Sequence, residues 1–354
     1  DFAAIMGALR EAFAFAPDAE VAIEIDPRTM DAAKVAVLAR EGFNRASLGV
    51  QDFNPAVQAA IGRHQSYAET RAVADDLRAA GITAINLDLM YGLPHQDAAC
   101  VRRTVEEALG LDPDRIAVFG YAHVPWMKKH QALIPEAALP GALERLEQAE
   151  LVSDILAGHG YLPVGLDHFA RASDPMARRA AEGTLKRNFQ GYTTDDAPVL
   201  IGFGASAIGA LPQGYVQNLP ATPQWHKAVE AGSLPIARGI ALTAEDRLRR
   251  HVIERLMCDL AVDLDAACAR FDFPRMHGKL ADLFDKIGID YEDLAFFDRQ
   301  GIIQSESTDK SRIGISIADR DYFDFARRGR TGIGPPVASK ATGNPIFALC
   351  SPVQ

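Results

Sequence analysis

Polar side chains follow three apolar segments near the start of the chain, each at the point where the segment ends. Glu24 and Asp26 share one face of an extended segment, Gln51 ends the next segment, and Asp88 lies near the end of the third. Carboxylates suit ribose hydroxyls and an ammonium group, and an amide side chain can bond either partner. Such a group of residues therefore fits a nucleoside or amino-acid cofactor.

Each of these residues also has a purely structural interpretation. Asp26 before Pro27 can begin a turn, and Glu24 can form an ion pair with a neighbouring base. Arg63, shortly after Gln51, can hold a carboxylate through two hydrogen bonds, or it can be a surface residue at a helix end. The residues alone leave both interpretations open for Glu24 and Asp26, whereas the position of Arg63 alone favours a surface residue.

A second set combines basic, amide and aromatic residues in two strings. These are Asp-His-Phe-Ala-Arg at residues 167–171 and Lys-Arg-Asn-Phe-Gln-Gly-Tyr-Thr-Thr at residues 186–194. Stacking and charge pairing by such residues suit a flat, aromatic ligand with several carboxylates. His168, Arg171 and Arg187 are therefore candidate carboxylate contacts, and a solvated loop is the alternative.

The elements that must position these residues follow a repeating pattern of amphipathic helix, glycine and short apolar strand up to about residue 170. This is the pattern of βα units in a parallel sheet. The predicted strands cover residues 21–25, 45–50, 84–90, 116–121 and 162–167. Active sites of (β/α) barrels lie at the carboxyl ends of strands, and polar residues occupy those ends, including Asp52, His123, Asp167 and His168. The sequence predicts an α/β fold, a partial (β/α) barrel whose first strands precede the chain.

The helices between the strands are predicted from apolar residues at three- and four-residue steps. Two examples are the set Val101, Val105, Ala108 and Leu109 and the set Leu146, Ala149, Val152 and Leu156. Gly42, Gly81 and Gly160 stand where helices are expected to end.

The predicted domains are a barrel at residues 1–212, a connection at 213–240, a helical domain at 241–304 and an unassigned tail at 305–354. Thr243 and Asp246 form a variant capping box at the start of the helical domain. Its expected apolar stripes are Ile253, Leu256, Met257 and Leu260, followed by Leu280, Leu283, Phe284 and Ile287.

Composition excludes several classes of protein. The net charge is −10 with scattered basic residues, which disfavours nucleic acid as a partner, and there is no apolar run of the ~18 residues that a membrane span needs. No secretory signal is recognisable, so we expect a cytoplasmic protein. The cysteines, Cys100, Cys258, Cys268 and Cys350, are too far apart for a metal or disulfide framework, and each is expected to be a buried apolar residue.

Several strings together resemble the oxygen-independent coproporphyrinogen III oxidases, over about residues 21–304. They are Glu-Ile-Asp-Pro at 24–27, Gly-Phe-Asn-Arg at 42–45, Gly-Val-Gln-Asp-Phe at 49–53, Asn-Leu-Asp-Leu-Met-Tyr-Gly-Leu-Pro at 86–94, Asp-His-Phe-Ala-Arg at 167–171 and Arg-Asn-Phe-Gln-Gly-Tyr-Thr-Thr at 187–194. The Gly-Val-Gln and Tyr-Gly-Leu-Pro strings mark the wider superfamily, and the last two strings mark the oxidase.

The resemblance implies radical chemistry with S-adenosylmethionine and a [4Fe-4S] cluster. A 5′-deoxyadenosyl radical removes hydrogen from a propionate of coproporphyrinogen III, and loss of carbon dioxide and an electron leaves a vinyl group; two rounds give protoporphyrinogen IX. An electron donor and an electron acceptor are further implied partners, and a monomer is expected. By family motif, Glu24 contacts the cluster-bound S-adenosylmethionine, and a second S-adenosylmethionine contacts Gln51, Arg63, Asp88, Ala122, Gln190 and Ile208.

The family's Cys-x3-Cys-x2-Cys loop is expected to precede this chain, whose four cysteines cannot supply three cluster ligands. The chain alone is therefore expected to be inactive. Two alternatives compete with this interpretation. One is a haem-binding chaperone of the same superfamily, which predicts a histidine motif where Phe-Gln-Gly-Tyr stands, and the other is a metal-independent barrel enzyme with Glu24 and Asp88 as acid and base.

Overall fold

The computed structural model describes residues 2–273 and six short strands farther along the chain. The chain divides into two compact units, residues 1–182 and 183–354. The first unit ends before the barrel boundary predicted at residue 212, because residues 208–211 pair with a strand of the second unit.

Helices and strands alternate in the first unit. The helices are α1 (Phe2–Ala12), α2 (Ala32–Arg40), α3 (Pro55–Ala60), α4 (Tyr67–Ala79), α5 (Ala98–Leu109), α6 (Ala142–Gly158) and α7 (Pro175–Ala181). The strands are β1 (Ala22–Ile25), β2 (Arg45–Gln51), β3 (Ala84–Tyr91), β4 (Arg115–Gly120), β5 (Tyr161–Val164) and β6 (His168–Arg171). Short 3₁₀ helices occupy Pro27–Thr29, Lys129–Leu133 and Glu136–Ala138. The first helix, α1, was not predicted from the sequence.

These strands form one six-stranded sheet in the order β1-β2-β3-β4-β6-β5. The first four strands are parallel, as predicted. The fifth predicted strand, residues 162–167, is confirmed only over residues 162–164, which belong to β5. The chain forms an antiparallel hairpin of β5 and β6 there, and β6 runs antiparallel to β4. Gly165, with φ 61°, lies in the turn that reverses the chain.

The two faces of the parallel strands differ in burial. In β2 the residues Ala46, Leu48 and Val50 are buried and belong to the core that includes Leu38 of α2 and Leu77 of α4. Each fully buried aliphatic side chain of this kind stabilises a fold by about 1.5–3 kcal/mol. The intervening residues point to the opposite, lumen face, which is only half buried. The hydrophobic core therefore fixes which side chains reach the lumen.

Helix ends and cysteines agree with the sequence analysis. Gly42, Gly81 and Gly160 have φ values of 80°, 92° and 81° and follow α2, α4 and α6 as helix ends. Cys100, Cys258 and Cys268 are buried free thiols, whereas the side chain of Cys350 lies outside the described part of the chain.

A group of charges that is mostly buried, which we call the floor cluster, lies at the amino-terminal ends of β2 and β4. It consists of Arg45, Arg115, Asp174 and Glu20, whose side chains are 9%, 5%, 4% and 46% exposed. Arg115 Nε donates to both Asp174 carboxylate oxygens at 2.9 and 3.0 Å, and Arg45 Nε donates to Glu20 at 2.9 Å. Burial lowers the pKa of Arg115, and the negative charges of Asp174 and Glu20 oppose this shift.

The second unit begins with a hairpin of β7 (Lys186–Asn188) and β8 (Gly191–Thr193). An antiparallel sheet follows in the order β11-β10-β9, formed by β9 (Ile208–Leu211), β10 (Gly214–Asn218) and β11 (Ile236–Ala241). Helix α8 (Thr222–Glu230) lies between β10 and β11. Residues 213–240 are therefore not a simple connection, as the sequence suggested, but carry two strands and a helix.

Two further helices, α9 (Ala244–Asp259) and α10 (Leu264–Arg270), lie beyond this sheet. The capping box of Thr243 and Asp246 is confirmed. The predicted stripe is confirmed only in part: Leu256 packs against the cluster shared with α10, but Leu248 and Val252 are the buried residues of α9 there, and Ile253 is exposed. The stripe at residues 280–287 lies outside the described residues.

Six short strands complete the described part of the chain. They are β12 (Ala295–Phe297), β13 (Ile303–Glu306), β14 (Gly332–Ile333), β15 (Val337–Ala338), β16 (Pro345–Ile346) and β17 (Leu349–Cys350). Within the part of the chain that the structure describes, no helix combines the length and the apolar character that a membrane crossing requires.

Candidate cofactor site

The register of the sheet brings three polar side chains together on the lumen face. Glu24 of β1 is opposite Ser47 of β2, and Gly49 of β2 is opposite Asp88 of β3. Ser47 Oγ lies 3.3 Å from each carboxylate oxygen of Asp88 and donates to this carboxylate. The predicted alternation of faces thus brings Glu24 and Asp88 to the same wall. Sequence analysis missed Ser47, although its two-residue spacing from Gly49 and Gln51 places it on the same face.

Asp88 is a carboxyl group with a perturbed acidity. Its pKa is raised to about 6, chiefly by burial and then by the negative charge of Glu24, against the lowering effects of the Ser47 hydroxyl and His168. Both Glu24 and burial disfavour the ionised form, so a cation placed beside this wall would stabilise the charged carboxylate.

We expect Asp88→Asn to stabilise the protein at neutral pH. The folded-state pKa of about 6 exceeds the usual 3.8, so the folded protein binds more protons between these values and its stability falls as pH rises from about 4 to 6. Removing the charge should raise the free energy of unfolding at pH 7.5 by roughly 2–3 kcal/mol. Urea titrations of wild type and variant from pH 4 to 8 measure this difference. Asp75→Asn, on the exposed face of α4, is the control, and equal stability of Asp88→Asn and wild type at every pH would contradict the prediction.

Arg63, in the loop after α3, lies at the carboxyl end of β2. Its Nη2 donates to the Gly49 carbonyl at 2.7 Å and to Gln65 Oε1 at 3.1 Å. The guanidinium also contacts the Asp26 carboxylate at 3.3 and 3.4 Å. Its Nε is buried and has no hydrogen-bond partner among the described residues. Arg63 therefore has an ion-pair partner and also an unused donor.

The pKa values of both Asp26 and Arg63 are lowered, which favours the charged form of Asp26 and disfavours the charged form of Arg63. The pKa of Asp26 is lowered to about 2, mainly by hydrogen bonds from Arg28 with a further contribution from Arg63. Burial lowers the pKa of Arg63. Because Arg28 also neutralises Asp26, the positive charge of Arg63 is only partly compensated and can attract an anionic group.

Gln51 lies next to Arg63 over the same glycine. A Cβ atom on Gly49 would lie 3.3 Å from both Arg63 Nη2 and Gln51 Nε2. The absence of a side chain at Gly49 therefore makes room for the amide and the guanidinium. Gln51 itself has φ 68°, a left-handed conformation that is uncommon for a residue other than glycine.

Ala122 follows β4 at the same carboxyl edge and is exposed. Its carbonyl accepts a hydrogen bond of 3.0 Å from Gln131 Nε2, and Gln131 Oε1 accepts one of 2.6 Å from the Val124 N–H. Gln131 thereby fixes the backbone of this loop.

The hairpin of β5 and β6 separates two predicted ligand contacts. His168 begins β6 opposite Ala117, near the carboxyl half of β4, and its Nδ1 bonds Asp167 at 2.7 Å. Arg171 ends β6 at the other side of the sheet, where it bonds Asp112 and the Pro113 carbonyl. A fifth strand that continued to residue 167 would have placed the whole string at residues 167–171 at its carboxyl end. Because β6 is reversed, only His168 lies toward the candidate site.

The remaining predicted residues belong to the second unit. Gln190 lies in the turn between β7 and β8, where its N–H donates to Asn188 Oδ1 at 2.8 Å. The Arg187 guanidinium lies 5.7 Å from the centre of the Tyr192 ring. Ile208 begins β9 and lines a 310 Å³ pocket of this unit together with Phe189 and Tyr215.

Comparisons with known proteins decide the family. The radical SAM superfamily model matches residues 1–108. An oxygen-independent coproporphyrinogen III oxidase from Bradyrhizobium diazoefficiens is 54% identical over 269 residues, 76% of this chain and 60% of that protein. One from Paracoccus denitrificans is 44% identical over 333 residues, 92% of this chain and 72% of that protein. The chain belongs to the oxygen-independent coproporphyrinogen III oxidase family.

A solved structure agrees with this assignment. The coproporphyrinogen III oxidase of Escherichia coli, a radical SAM enzyme, matches with a TM-score of 0.75 and 38% identity, over 82% of this chain and 68% of that one. The partial radical SAM barrel predicted from the sequence is thereby confirmed. This member of the coproporphyrinogen oxidase family spans 60% of the length of the Bradyrhizobium protein and 58% of a relative from Cereibacter sphaeroides.

Radical SAM proteins imply two kinds of cofactor, and the residues described here fit one of them. The carboxylates of Glu24 and Asp88 suit the positive charges and hydroxyls of S-adenosylmethionine. An iron–sulfur cluster does not fit. The described residues of the chain contain no group of three side chains that could hold a metal ion. Burial raises the pKa of Cys100 to about 12 and that of Cys258 to about 11, which opposes formation of the thiolates that a cluster needs.

Proposed function

We propose that the protein converts two propionate side chains of coproporphyrinogen III to vinyl groups and so forms protoporphyrinogen IX. The observation that carries this proposal is the wall of Glu24, Ser47 and Asp88, with Gln51 and Arg63 at its carboxyl edge. When bound at Glu24, S-adenosylmethionine would supply a 5′-deoxyadenosyl radical for hydrogen abstraction from a propionate side chain.

We assign separate tasks to the residues of this wall. Glu24 binds the S-adenosylmethionine that is cleaved first, and Asp88 offers a second carboxylate to a hydroxyl or a cation. Arg63 binds a carboxylate, and Gln51 bonds a neighbouring polar group. Ala122 borders the second cofactor position at the same edge.

In the second unit, Arg187 is a proposed contact for a substrate propionate. His168 is a further propionate contact. We do not include Arg171, because its guanidinium is bonded at the opposite edge of the sheet.

The cluster ligands are proposed to be thiolates outside residues 1–354, since the cysteines of this sequence lack the family spacing. An external electron donor supplies the electron for cofactor cleavage, and an acceptor takes the electron that decarboxylation releases. The full-length protein in the experiments below is the chain together with the cluster-binding segment that the family carries.

In the full-length protein, Glu24→Gln should slow the cleavage of S-adenosylmethionine about tenfold or more, because a charge-assisted contact becomes a neutral one. Anaerobic assays of methionine release measure the rate, and iron and sulfide analysis should show an unchanged cluster. Glu106→Gln, on the exposed surface of α5, is the matched control. Wild-type cleavage by Glu24→Gln would remove this residue from the site.

A further inference from the structure

The carboxyl end of β2 contains an unusual turn. The N–H of Asp52 donates to the Val50 carbonyl at 3.0 Å, which closes a three-residue turn around Gln51. Gln51 has φ 68°, and the pairing of β2 with β3 skips one residue between Gly49 and Gln51. A γ-turn with positive φ is rare and strained for a residue with a side chain. Other interactions must therefore hold Gln51 in this conformation.

Asp52 provides such interactions. Its side chain is fully buried, at 0% exposure, and several donors converge on the carboxylate. The Asn54 N–H and Gln96 Nε2 each donate at 2.5 Å, and the Cys100 Sγ lies 3.8 and 3.9 Å from the two oxygens. Burial raises the pKa of Asp52, while the hydrogen bonds from Gln96 and Asn54 lower it. An ionised carboxylate accepts from all of these donors, whereas an amide would direct its own N–H groups at one of them.

The same contacts tie the turn to the next strand. Gln96 Nε2 also donates to the Met90 carbonyl at 2.8 Å, and Gln96 Oε1 accepts from the Leu93 N–H at 2.8 Å. Gln148 of α6 in turn donates to the Gln96 carbonyl at 3.0 Å. Asp52 is therefore anchored to the loop after β3 and to two helices, and it cannot rotate without breaking several buried hydrogen bonds.

We propose that Asp52 is a positioning residue that holds Gln51 in its left-handed conformation and so keeps the Gln51 amide beside Arg63, facing the cofactor. The role of Gln51 toward the cofactor rests on the proposed function. The role of Asp52 in holding the conformation of Gln51 does not. Asp52 itself is behind the strand end, buried among its donors, and does not reach the ligand.

Thermal stability tests the conformation without any ligand. Glycine at an ordinary position is less stable than alanine, because it loses more backbone freedom on folding. At a strained left-handed residue the order reverses, so Gln51→Gly should melt about 2–4 °C above Gln51→Ala. In an Asp52→Asn background the turn should relax, and alanine should again be the more stable of the two. If Asp52→Asn does not fold, Thr104→Val, which removes a hydroxyl that bonds Asp52, should reduce the difference.

Binding of S-adenosylmethionine to the full-length protein, measured by calorimetry, tests the positioning role. Gln51→Ala and Asp52→Asn should each weaken binding about tenfold, and the double variant should bind no more weakly than either, since Asp52 acts through Gln51. Asp31→Ala, which removes the N-terminal cap of α2, is the control: it should lower the melting temperature and leave the affinity unchanged.

The outcomes separate the two proposals. Alanine more stable than glycine at position 51 in the wild-type background would overturn the inference, whatever the affinity for the cofactor. Additive losses of affinity in the double variant would also overturn it, because Asp52 would then not act through Gln51. Failure of the wild-type protein to bind S-adenosylmethionine would instead overturn the proposed function, and the order of stability would still decide how Asp52 holds the turn.

Discussion

Arg63→Ala in the full-length protein is expected to lower protoporphyrinogen formation about tenfold to hundredfold, since each charge-assisted hydrogen bond contributes roughly 1.5–3 kcal/mol. The partly compensated charge of Arg63 and its unused Nε are the features that suit a ligand carboxylate. Arg63→Lys should recover little of the rate, because lysine cannot form the two parallel bonds. Product formation and cluster content should be measured on the same samples, and the cluster should remain intact.

The ion pair with Asp26 requires its own controls. Asp26→Asn removes the partner and leaves the guanidinium, so it should cost much less activity than Arg63→Ala. Arg71→Ala, an exposed arginine of α4 that pairs with Asp75, should have no effect. Equal losses in Asp26→Asn and Arg63→Ala would show that Arg63 acts only through its ion pair, and full activity in both would show that the ion pair is structural and that Arg63 has no role in the reaction.

The largest loss of stability is expected for Asp174→Ala in the floor cluster. Arg45 and Arg115 would both lose a buried partner, and breaking such a pair typically costs 3–5 kcal/mol because an uncompensated charge stays buried. Asp174 also accepts from the Met176 N–H at the start of α7 at 2.7 Å. Urea titration at pH 7.5 measures the change in the free energy of unfolding.

Two variants separate the ion pairs from the helix cap. Asp174→Asn keeps a residue that caps helices well but removes the charge, so most of the loss should persist. Asp31→Ala removes the exposed N-terminal cap of α2 and should cost only about 1 kcal/mol. A loss for Asp174→Ala no larger than that for Asp31→Ala would mean that the floor cluster contributes no net stability.

Sequence patterns located the parallel strands because alternation along a strand and a glycine after a helix are both local signals. Alternation assigned Glu24 and Asp88 to one face, and the glycines after helices marked the helix ends. The reversal between β5 and β6 could not be found this way, since it depends on a short turn at Gly165 and on pairing with β4. The misplaced stripe of α9 has a similar cause: two helix faces are apolar, and only contact with α10 determines which is buried.

In the candidate site, too, the sequence indicated features with a local signal and missed those that depend on contacts distant in the chain. Residue types and the family resemblance made Gln51, Arg63 and Asp88 candidate ligand contacts, but they did not show what holds these residues in place. Asp52 is bonded by residues 44 and 48 positions away along the chain, and such distant pairs leave no periodic signal. Arg171 was grouped with His168 because the two are close in sequence, although an extended strand places its ends far apart.

The hairpin of β5 and β6 also bears on assembly. Strand β5 is the last in the sheet order among the described residues, it is only four residues long, and its third residue is Pro163. Proline has no N–H to donate, and short strands that contain it are poor templates for a further strand. A second polypeptide would find few hydrogen-bonding groups at this border, so the hairpin protects that side of the sheet from intermolecular β-pairing.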